Sequence, residues 1–180
     1  MDNDIKEVLV SKMDIENICE KLGNQITNDY KGRNLVVVGL LSGCLPFMAD
    51  LVRHIDLYLA TDYMKVSSYN GGTTSSGHIQ IKSDLNLDVT GKDVLIVDDI
   101  IDTGLTLKEV ISYFINVKKA KSVKTCVLLD KKEGRTENIE ADYVGTLVPN
   151  KFVVGYGLDY DDFYRNLPYV GVLKEEVYNK

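Results

Sequence analysis

The sequence predicts an α/β fold built on a mainly parallel sheet. Short, continuous apolar runs such as Val94–Val97 are typical of strands that are buried on both faces of such a sheet. Segments with the apolar spacing of helices follow several of these runs, and this alternation is the pattern of parallel α/β folds. With 180 residues, of which 44% are hydrophobic, the chain is expected to form one domain with a full core.

The first half of the chain is predicted to contain two strand–helix units. Ile5–Val10 is predicted to be a short strand, and Ser11 is the expected N-cap of a helix that runs to about Tyr30. Leu35–Leu41 is predicted to be a buried strand, and Pro46 lies near the first turn of the next helix, where proline is tolerated. Apolar spacing predicts the inner faces of the two helices: Ile15, Ile18, Cys19, Leu22 and Ile26, then Phe47, Met48, Leu51, Val52 and Ile55.

A segment rich in Gly, Ser and Thr interrupts the next pair of predicted strands. Leu57–Val66 and Ile79–Lys82 are the strands, and Ser67–Gly77 lies between them. Such a composition cannot bury a face, so the segment is predicted to be a loop or a hairpin tip. An idle surface loop and an active-site lid both fit this composition.

The second half continues the alternation of strands and helices. After Val94–Val97, an apolar helical pattern begins at Leu107 and repeats at Val110, Ile111, Phe114 and Ile115. The later strands are predicted at Val123–Leu129, Tyr143–Val148 and Phe152–Tyr156, with Tyr169–Leu173 as an edge strand.

The stretch Val94–Leu107, VLIVDDIIDTGLTL, has the composition of a ligand site. Ligands of open parallel sheets lie beyond the carboxyl ends of the strands, and the start of the next helix suits a phosphate. Thr103 and Thr106 could add hydroxyl donors, whereas Asp98 and Asp99 would repel a phosphate and suit sugar hydroxyls or a metal instead. A ligand with a ribose diol beside a 5′-phosphate fits this arrangement. The alternative is a buried strand with solvated acidic residues at its end.

Composition excludes several other classes of function. The net charge of −6 and the pI near 5.0 argue against a nucleic-acid partner, because no basic stripe is available. Three widely spaced cysteines indicate neither a zinc site nor a disulfide framework. The N-terminus lacks a signal-peptide pattern, and no apolar run is long enough to span a membrane. A cytoplasmic location is therefore expected.

Four motifs resemble those of the hypoxanthine-guanine phosphoribosyltransferases, a group of type I phosphoribosyltransferases. The motif VLIVDDIIDTGLTL resembles their phosphoribosyl-diphosphate (PRPP) motif, and LLSGCLPFMADL at 40–51 is similar to their pyrophosphate loop. VSSYNGGTTSSG resembles their lid, with Ser68 and Tyr69 at its Ser-Tyr pair, and KFVVGYGLDYDDFYRNLPYVGVL resembles their base-binding end. The resemblance implies one domain over 1–180, with a core from about 35 to 150, a small hood from about 1–12 and 150–180, and a flexible lid loop.

The resemblance also implies the reaction and its partners. A 6-oxopurine base would react with PRPP to give a nucleoside 5′-monophosphate and pyrophosphate, in a homodimer or homotetramer that uses Mg²⁺. Asp98 and Asp99 are implied to hold the ribose hydroxyls and a Mg²⁺ ion, and Asp102 to be the general base at N7. The 5′-phosphate would bind the backbone and hydroxyls of a single turn, Asp102, Thr103, Gly104, Leu105 and Thr106.

The remaining implied roles concern pyrophosphate and the purine. Ser42, Gly43 and Arg165 would bind pyrophosphate, and the peptide between Leu41 and Ser42 occupies a place that is often cis in the family. Lys131 would donate to the 6-oxo group. Phe152 would stack on the base, the Val153 carbonyl would recognise its edge, and Asp159 would line the purine site and hold a second Mg²⁺ through pyrophosphate.

The sequence departs from the family pattern at two positions. Ser42 stands where a lysine or arginine is common, so a side-chain contact with pyrophosphate is lost although the backbone N–H remains. Asp98 stands where glutamate is usual, which puts its direct contact with ribose in question. The sequence leaves open the preference among hypoxanthine, guanine and xanthine, and the choice between dimer and tetramer.

Two other classes of protein share part of this pattern. A regulator with the same fold could bind PRPP without turnover, but such proteins tend to carry a nucleic-acid-binding domain or a basic face. A phosphoryl-accepting domain also has an acidic pair at a strand end, but it would not account for the small-residue turn after Asp98-Asp99.

Overall fold

The computed structural model describes residues 1–68 and 79–179. Nine strands lie in this part of the chain: β1 (Ile5–Val10), β2 (Leu35–Leu41), β3 (Leu59–Ser68), β4 (Ile79–Ser83), β5 (Asp93–Ile101), β6 (Ser122–Asp130), β7 (Tyr143–Leu147), β8 (Val153–Val154) and β9 (Val170–Leu173). It also contains four α-helices: α1 (Lys12–Asp29), α2 (Leu45–Leu51), α3 (Leu105–Asn116) and α4 (Glu175–Tyr178).

The main sheet has six strands in the order β4-β3-β2-β5-β6-β7. Its inner pairs are parallel, and β4 is an antiparallel edge strand on β3. The carboxyl ends of β2, β5 and β6 therefore meet at one edge of the sheet. The predicted mainly parallel α/β fold is confirmed, and this edge is where a ligand of such a sheet is expected.

Both faces of the main sheet are covered, which explains its continuous apolar runs. Alternate residues of a strand point to opposite faces. Val37 and Leu95 lie in a core cluster with residues of α1 and α2, whereas Val36 and Ile96 lie in a second cluster with residues of α3. The strands thus need apolar side chains at every position.

The predicted cap of α1 is confirmed. The main-chain N–H of Asp14 donates to the Ser11 hydroxyl at 3.2 Å, and the Ser11 N–H donates to the Asp14 carboxylate at 2.9 Å. This reciprocal pair satisfies two N–H groups that the helix itself cannot satisfy.

A second sheet joins the two ends of the chain. Its order is β1-β9-β8, with both pairings antiparallel. The prediction that Tyr169–Leu173 is an edge strand was wrong: β9 covers Val170–Leu173 and lies between the other two strands, where all four of its residues are buried. The small sheet is formed by segments from the two ends of the chain, as expected for the implied hood.

Several predicted boundaries also differ. Helix α2 ends at Leu51 and passes into a 3₁₀ turn, Val52–His54, and β3 begins two residues later than predicted and runs on to Ser68. Helix α3 begins at Leu105 rather than Leu107, and Ile115 is 49% exposed despite its place in the apolar pattern.

Candidate active site

The acidic pair lies within β5 rather than beyond its end. Parallel pairing with β6 continues through Asp98 opposite Val127 and on to Ile101 opposite Asp130. The predicted strand Val94–Val97 is therefore four residues short at this end, because pairing with β6 carries β5 on to Ile101. At the acids the ladder continues on the β6 side only, since the pairing with β2 ends at Gly39 opposite Val97, and this pairing with β6 fixes the main chain that carries them.

The environment of the pair favours a cation. Burial raises the pKa of Asp98 well above its ordinary value, and the neighbouring Asp99 charge raises it further. Burial also raises the pKa of Asp99, although a hydrogen bond with Asp98, main-chain hydrogen bonds and the charge of Arg165 act in the opposite direction. A divalent cation would relieve the repulsion between the two carboxylates, and carboxylate oxygens are the ligands that Mg²⁺ prefers.

The turn after β5 forms an anion-binding cradle. Gly104, with φ of +86°, is the N-cap of α3 and has no side chain to cap it, and the Thr103 hydroxyl accepts only a long hydrogen bond, 3.4 Å, from the Leu105 N–H. The N–H groups of its first turn and its positive dipole end are thus available to a phosphate. A cavity of about 110 Å³ opens here, lined by Asp98, Ile100, Ile101, Asp102, Thr103, Gly104, Thr106 and Leu107. Most of the predicted phosphate-binding residues therefore surround one cavity.

Asp102 is paired with Lys131. The Lys131 Nζ lies 2.9 Å from the Asp102 Oδ2, and the lysine side chain is only 12% exposed. Lys131 directly follows β6, and its own N–H donates to the Ile101 carbonyl at 3.0 Å. The structure thus places the predicted general base and the predicted purine contact side by side.

Two further residues around Asp102 were missed by the sequence analysis. A Cβ at Gly134 would lie 1.9 Å from the Asp102 Oδ1, so only glycine leaves room for that carboxylate. Arg135 donates from Nε to the Asp102 carbonyl at 2.9 Å and pairs with the Asp130 carboxylate, which is 1% exposed. The available signal of burial was an acid, Asp130, that continues an apolar strand.

The loop between β2 and α2, called here the first loop, lies against the acidic pair. The Leu41–Ser42 peptide is cis, as the resemblance implied. A Cβ at Gly43 would lie 1.7 Å from the Asp99 Oδ2, so glycine is required for this close approach. The loop and the acids therefore form one surface at the carboxyl ends of β2 and β5.

The C-terminal segment borders the same surface. A Cβ at Gly157 would lie 2.0 Å from the Gly43 carbonyl, and Gly157 itself has φ of +101°. The Arg165 guanidinium donates to the Gly157 carbonyl at 2.7 Å and lies 2.9 Å from the Asp159 carboxylate. Arg165 and Asp159 are thus brought together next to the pyrophosphate loop.

The predicted base-binding residues have different environments. Phe152 precedes β8 and is 40% exposed, with its ring stacked on that of Tyr178. The Val153 side chain is buried in the core, which leaves its main chain for any contact with a ligand. The segment that leads from β7 to Phe152 begins beside Lys131, because the Val148 N–H donates to the Asp130 carbonyl at 3.0 Å.

Two predictions can be assessed only in part. Ser68 ends β3, and Tyr69 and most of the predicted lid lie outside the described residues. Within residues 1–68 and 79–179, no group of three His, Cys, Asp or Glu side chains could hold a metal ion. The pair Asp98–Asp99 would therefore need oxygen ligands from substrate or water to complete a Mg²⁺ site. No described helix is long and apolar enough to cross a membrane.

Comparison with known proteins agrees with this geometry. The family model of the phosphoribosyl transferase domain matches residues 7–161. The hypoxanthine-guanine phosphoribosyltransferase of Streptococcus pneumoniae is 58% identical over 99% of both chains. The crystal structure of a hypoxanthine phosphoribosyltransferase from Staphylococcus aureus superimposes with a TM-score of 0.95 at 52% identity, covering 100% of this chain and 97% of the other.

A more distant structure preserves the same architecture. A hypoxanthine-guanine phosphoribosyltransferase from Bacillus anthracis, solved with a HEPES molecule in its active site, is 39% identical and has a TM-score of 0.90. The superposition covers 94% of this chain and 99% of the Bacillus anthracis chain. Sequence, fold and the arrangement around Asp98–Thr106 thus agree: this chain belongs to the hypoxanthine-guanine phosphoribosyltransferases of the type I phosphoribosyltransferase family.

Proposed function

We propose that this chain is a purine salvage enzyme that transfers the 5-phosphoribosyl group of PRPP to N9 of hypoxanthine or guanine. The products would be IMP or GMP and pyrophosphate. The observation that carries this proposal is the arrangement at one edge of the sheet, where an acidic pair, a phosphate cradle and the Asp102–Lys131 pair converge.

Asp102 is assigned as the general base. It lies in the phosphate-binding turn, where a carboxylate is otherwise unfavourable, and it lines the same cavity as Thr103 and Thr106. As N9 attacks the ribose, the N7 proton of the purine becomes acidic, and a positioned carboxylate can accept it. Lys131 and Arg135 hold the carboxylate and the main chain of Asp102, and Gly134 leaves room for the carboxylate.

The leaving pyrophosphate would lie between the first loop and the C-terminal segment. The N–H groups around Ser42 and Gly43 and the Arg165 guanidinium can donate to its oxygens, and they lie on one surface with Asp99. Charge that develops on the leaving group is best stabilised by such preorganised donors. With serine at position 42, Arg165 is the cationic side chain that we assign to this task.

Asp98 and Asp99 are the residues that would hold Mg²⁺, with Asp159 assigned to a second ion through pyrophosphate. When bound, Mg²⁺ neutralises the phosphate charges and favours departure of pyrophosphate. The Ser67–Gly77 segment is proposed to act as a lid that excludes water, which would otherwise hydrolyse PRPP. We further propose a homodimer or homotetramer as the working assembly.

The decisive experiment is an assay of IMP formation from hypoxanthine and PRPP, with and without Mg²⁺. We expect turnover that requires both PRPP and the metal. A regulator of the same fold would bind PRPP without forming IMP, and a phosphoryl-accepting domain would do neither. PRPP binding without IMP formation under saturating substrate would therefore overturn the proposed activity.

A further inference from the structure

The C-terminal helix α4 places an aromatic ring directly on Phe152. The Phe152 and Tyr178 rings are stacked, with centroids 5.0 Å apart and an interplanar angle of 23°. Tyr160 packs edge-on against both rings, at 5.7 Å from Phe152 and 6.5 Å from Tyr178. Three aromatic side chains from separate segments thus form one cluster around Phe152.

This stacking leaves Phe152 with one free face. An aromatic ring has two faces, and Tyr178 covers one of them, so a purine that stacks on Phe152 has to use the other. Phe152 is 40% exposed, and among the described residues the rings that contact it are those of Tyr178 and Tyr160. The cluster therefore determines which way the exposed ring faces.

Hydrogen bonds and apolar packing hold the segment that carries Tyr178 against the small sheet. The Lys174 N–H donates to the Asp4 carbonyl at 2.9 Å, and the Leu173 N–H donates to the Phe152 carbonyl at 2.9 Å. Val177 and Tyr178 also pack on a small hydrophobic cluster that contains Val154, Leu167 and Leu173. The residues just before α4 are thus hydrogen-bonded to the segments that precede β1 and β8, and the side chains of Val177 and Tyr178 pack on the small cluster.

We propose that Tyr178 is a positioning residue for purine binding, which holds the Phe152 ring from behind so that its opposite face meets the base. This inference rests on the proposed function, and specifically on the stacking role of Phe152. Removal of the ring of Tyr178 would let the Phe152 ring rotate away, which weakens base binding without altering the phosphate cradle.

Steady-state kinetics of the full chain test the proposal. Because an aromatic pair contributes about 0.5–1.5 kcal/mol, we expect Tyr178→Leu to raise the KM for hypoxanthine about two- to twelvefold. The KM for PRPP should change less than about twofold, because the cradle of α3 lies elsewhere. Tyr178→Phe keeps the ring and should keep the parent KM.

A parallel variant separates the two proposals. If Phe152→Leu leaves the hypoxanthine KM unchanged, Phe152 does not bind the base, and its assigned role fails. If Phe152→Leu raises that KM but Tyr178→Leu does not, the role of Tyr178 alone is overturned. The mass of each variant in solution is measured as well, because a KM change that follows only a change of assembly would also contradict a positioning role.

Fluorescence provides a second readout, since the chain contains no tryptophan. We expect Tyr178→Trp to show an emission change on binding GMP, because its ring contacts the residue that stacks on the base. Tyr58→Trp is the matched control: Tyr58 is fully exposed next to the amino end of β3, at the opposite edge of the sheet. Equal responses of the two variants, or none from Trp at position 178, would count against the proposal.

Discussion

At the scale of single residues, the chemistry that we propose depends on Asp102 and on the residues that surround it. Its carboxylate lies against Gly134 and Lys131, and its carbonyl accepts from Arg135. The sequence predicted Asp102 and Lys131 because their motifs resemble those of a known family. It did not predict the role of Arg135, since a single arginine in a charged turn has no periodicity that distinguishes a buried ion pair from a solvated one.

Substitution of Asp102 by Asn should remove proton transfer and little else. The phosphate cradle of α3 does not depend on the charge of this side chain, and an amide oxygen can still accept from Lys131. We expect kcat for IMP formation to fall by about 10²–10⁴ while PRPP binding, measured by calorimetry, stays close to that of the parent. A variant with the parent kcat would remove Asp102 from the mechanism.

Lys131 should determine the choice between 6-oxopurines and adenine. A lysine ammonium is only a donor, so it can pair with O6 of hypoxanthine or guanine but opposes the amino group of adenine. A site built on such contacts can discriminate by about 10⁴ or more. Comparison of kcat/KM for hypoxanthine, guanine and adenine in the parent measures this preference.

The matched control for Lys131→Ala is Lys132→Ala. Lys132 is the adjacent lysine, but its side chain is 57% exposed and pairs with Glu140 at the surface. We expect the first substitution to lower kcat/KM for hypoxanthine and the second to leave it unchanged. Efficient AMP formation by the parent, or equal effects of the two substitutions, would contradict the role of Lys131.

At the scale of elements, the sequence predicted the presence of the strands more accurately than the residues at which they begin and end. The boundaries of β1 and β2 are as predicted, because each is delimited by a clear change in composition. The predicted end of β5 was wrong because two acidic residues interrupt its apolar run before Ile100 and Ile101, and the pairing with β6 overrides that local signal. The backbone pairing with β6 holds Asp98 and Asp99 more rigidly than a loop would.

Asp62 connects β3 to the segment that leads into β5. Its carboxylate is 7% exposed and accepts from the N–H groups of Asn86 at 2.7 Å and of Leu87 and Tyr63 at 2.8 Å. Burial acts to raise the pKa of Asp62, but the hydrogen bonds from Leu87, Tyr63 and Asn86 outweigh it and lower the pKa. The ionised form is therefore the stabilising one.

The sign of the pH dependence follows from this lowered pKa. Stability from Asp62 is present above the unfolded-state pKa, near 3.9, and is lost as the pH falls through the lower folded-state value. We expect Asp62→Asn to reduce the free energy of unfolding by about 1–3 kcal/mol at pH 7, and by less below about pH 4. Urea denaturation at both pH values tests this, with the exposed Asp56→Asn as control; a loss that does not depend on pH would contradict it.

At the scale of the whole molecule, the packing buries all three cysteine thiols. Cys19, Cys44 and Cys126 are all 0% exposed, and they come from α1, from the residue before α2 and from β6. Burial raises the pKa of the Cys19 thiol to about 11 and raises the pKa of the other two thiols as well. The composition predicted the absence of a disulfide framework, but only the packing explains why the thiols should be unreactive.

Thiol labelling should therefore report global unfolding and its coupling to substrate. At pH 8 we expect the folded protein to react negligibly with a disulfide reagent, and the urea-unfolded chain to react with three equivalents, because the thiolate is the reactive form. PRPP with Mg²⁺ at about 100 times Kd should stabilise the fold by about 2.7 kcal/mol, which slows labelling about 100-fold when opening is fast and reversible. Because Cys44 lies beside the acidic pair, selective labelling of Cys44 that substrate does not slow would show that the first loop opens independently, and would contradict a single cooperative unit.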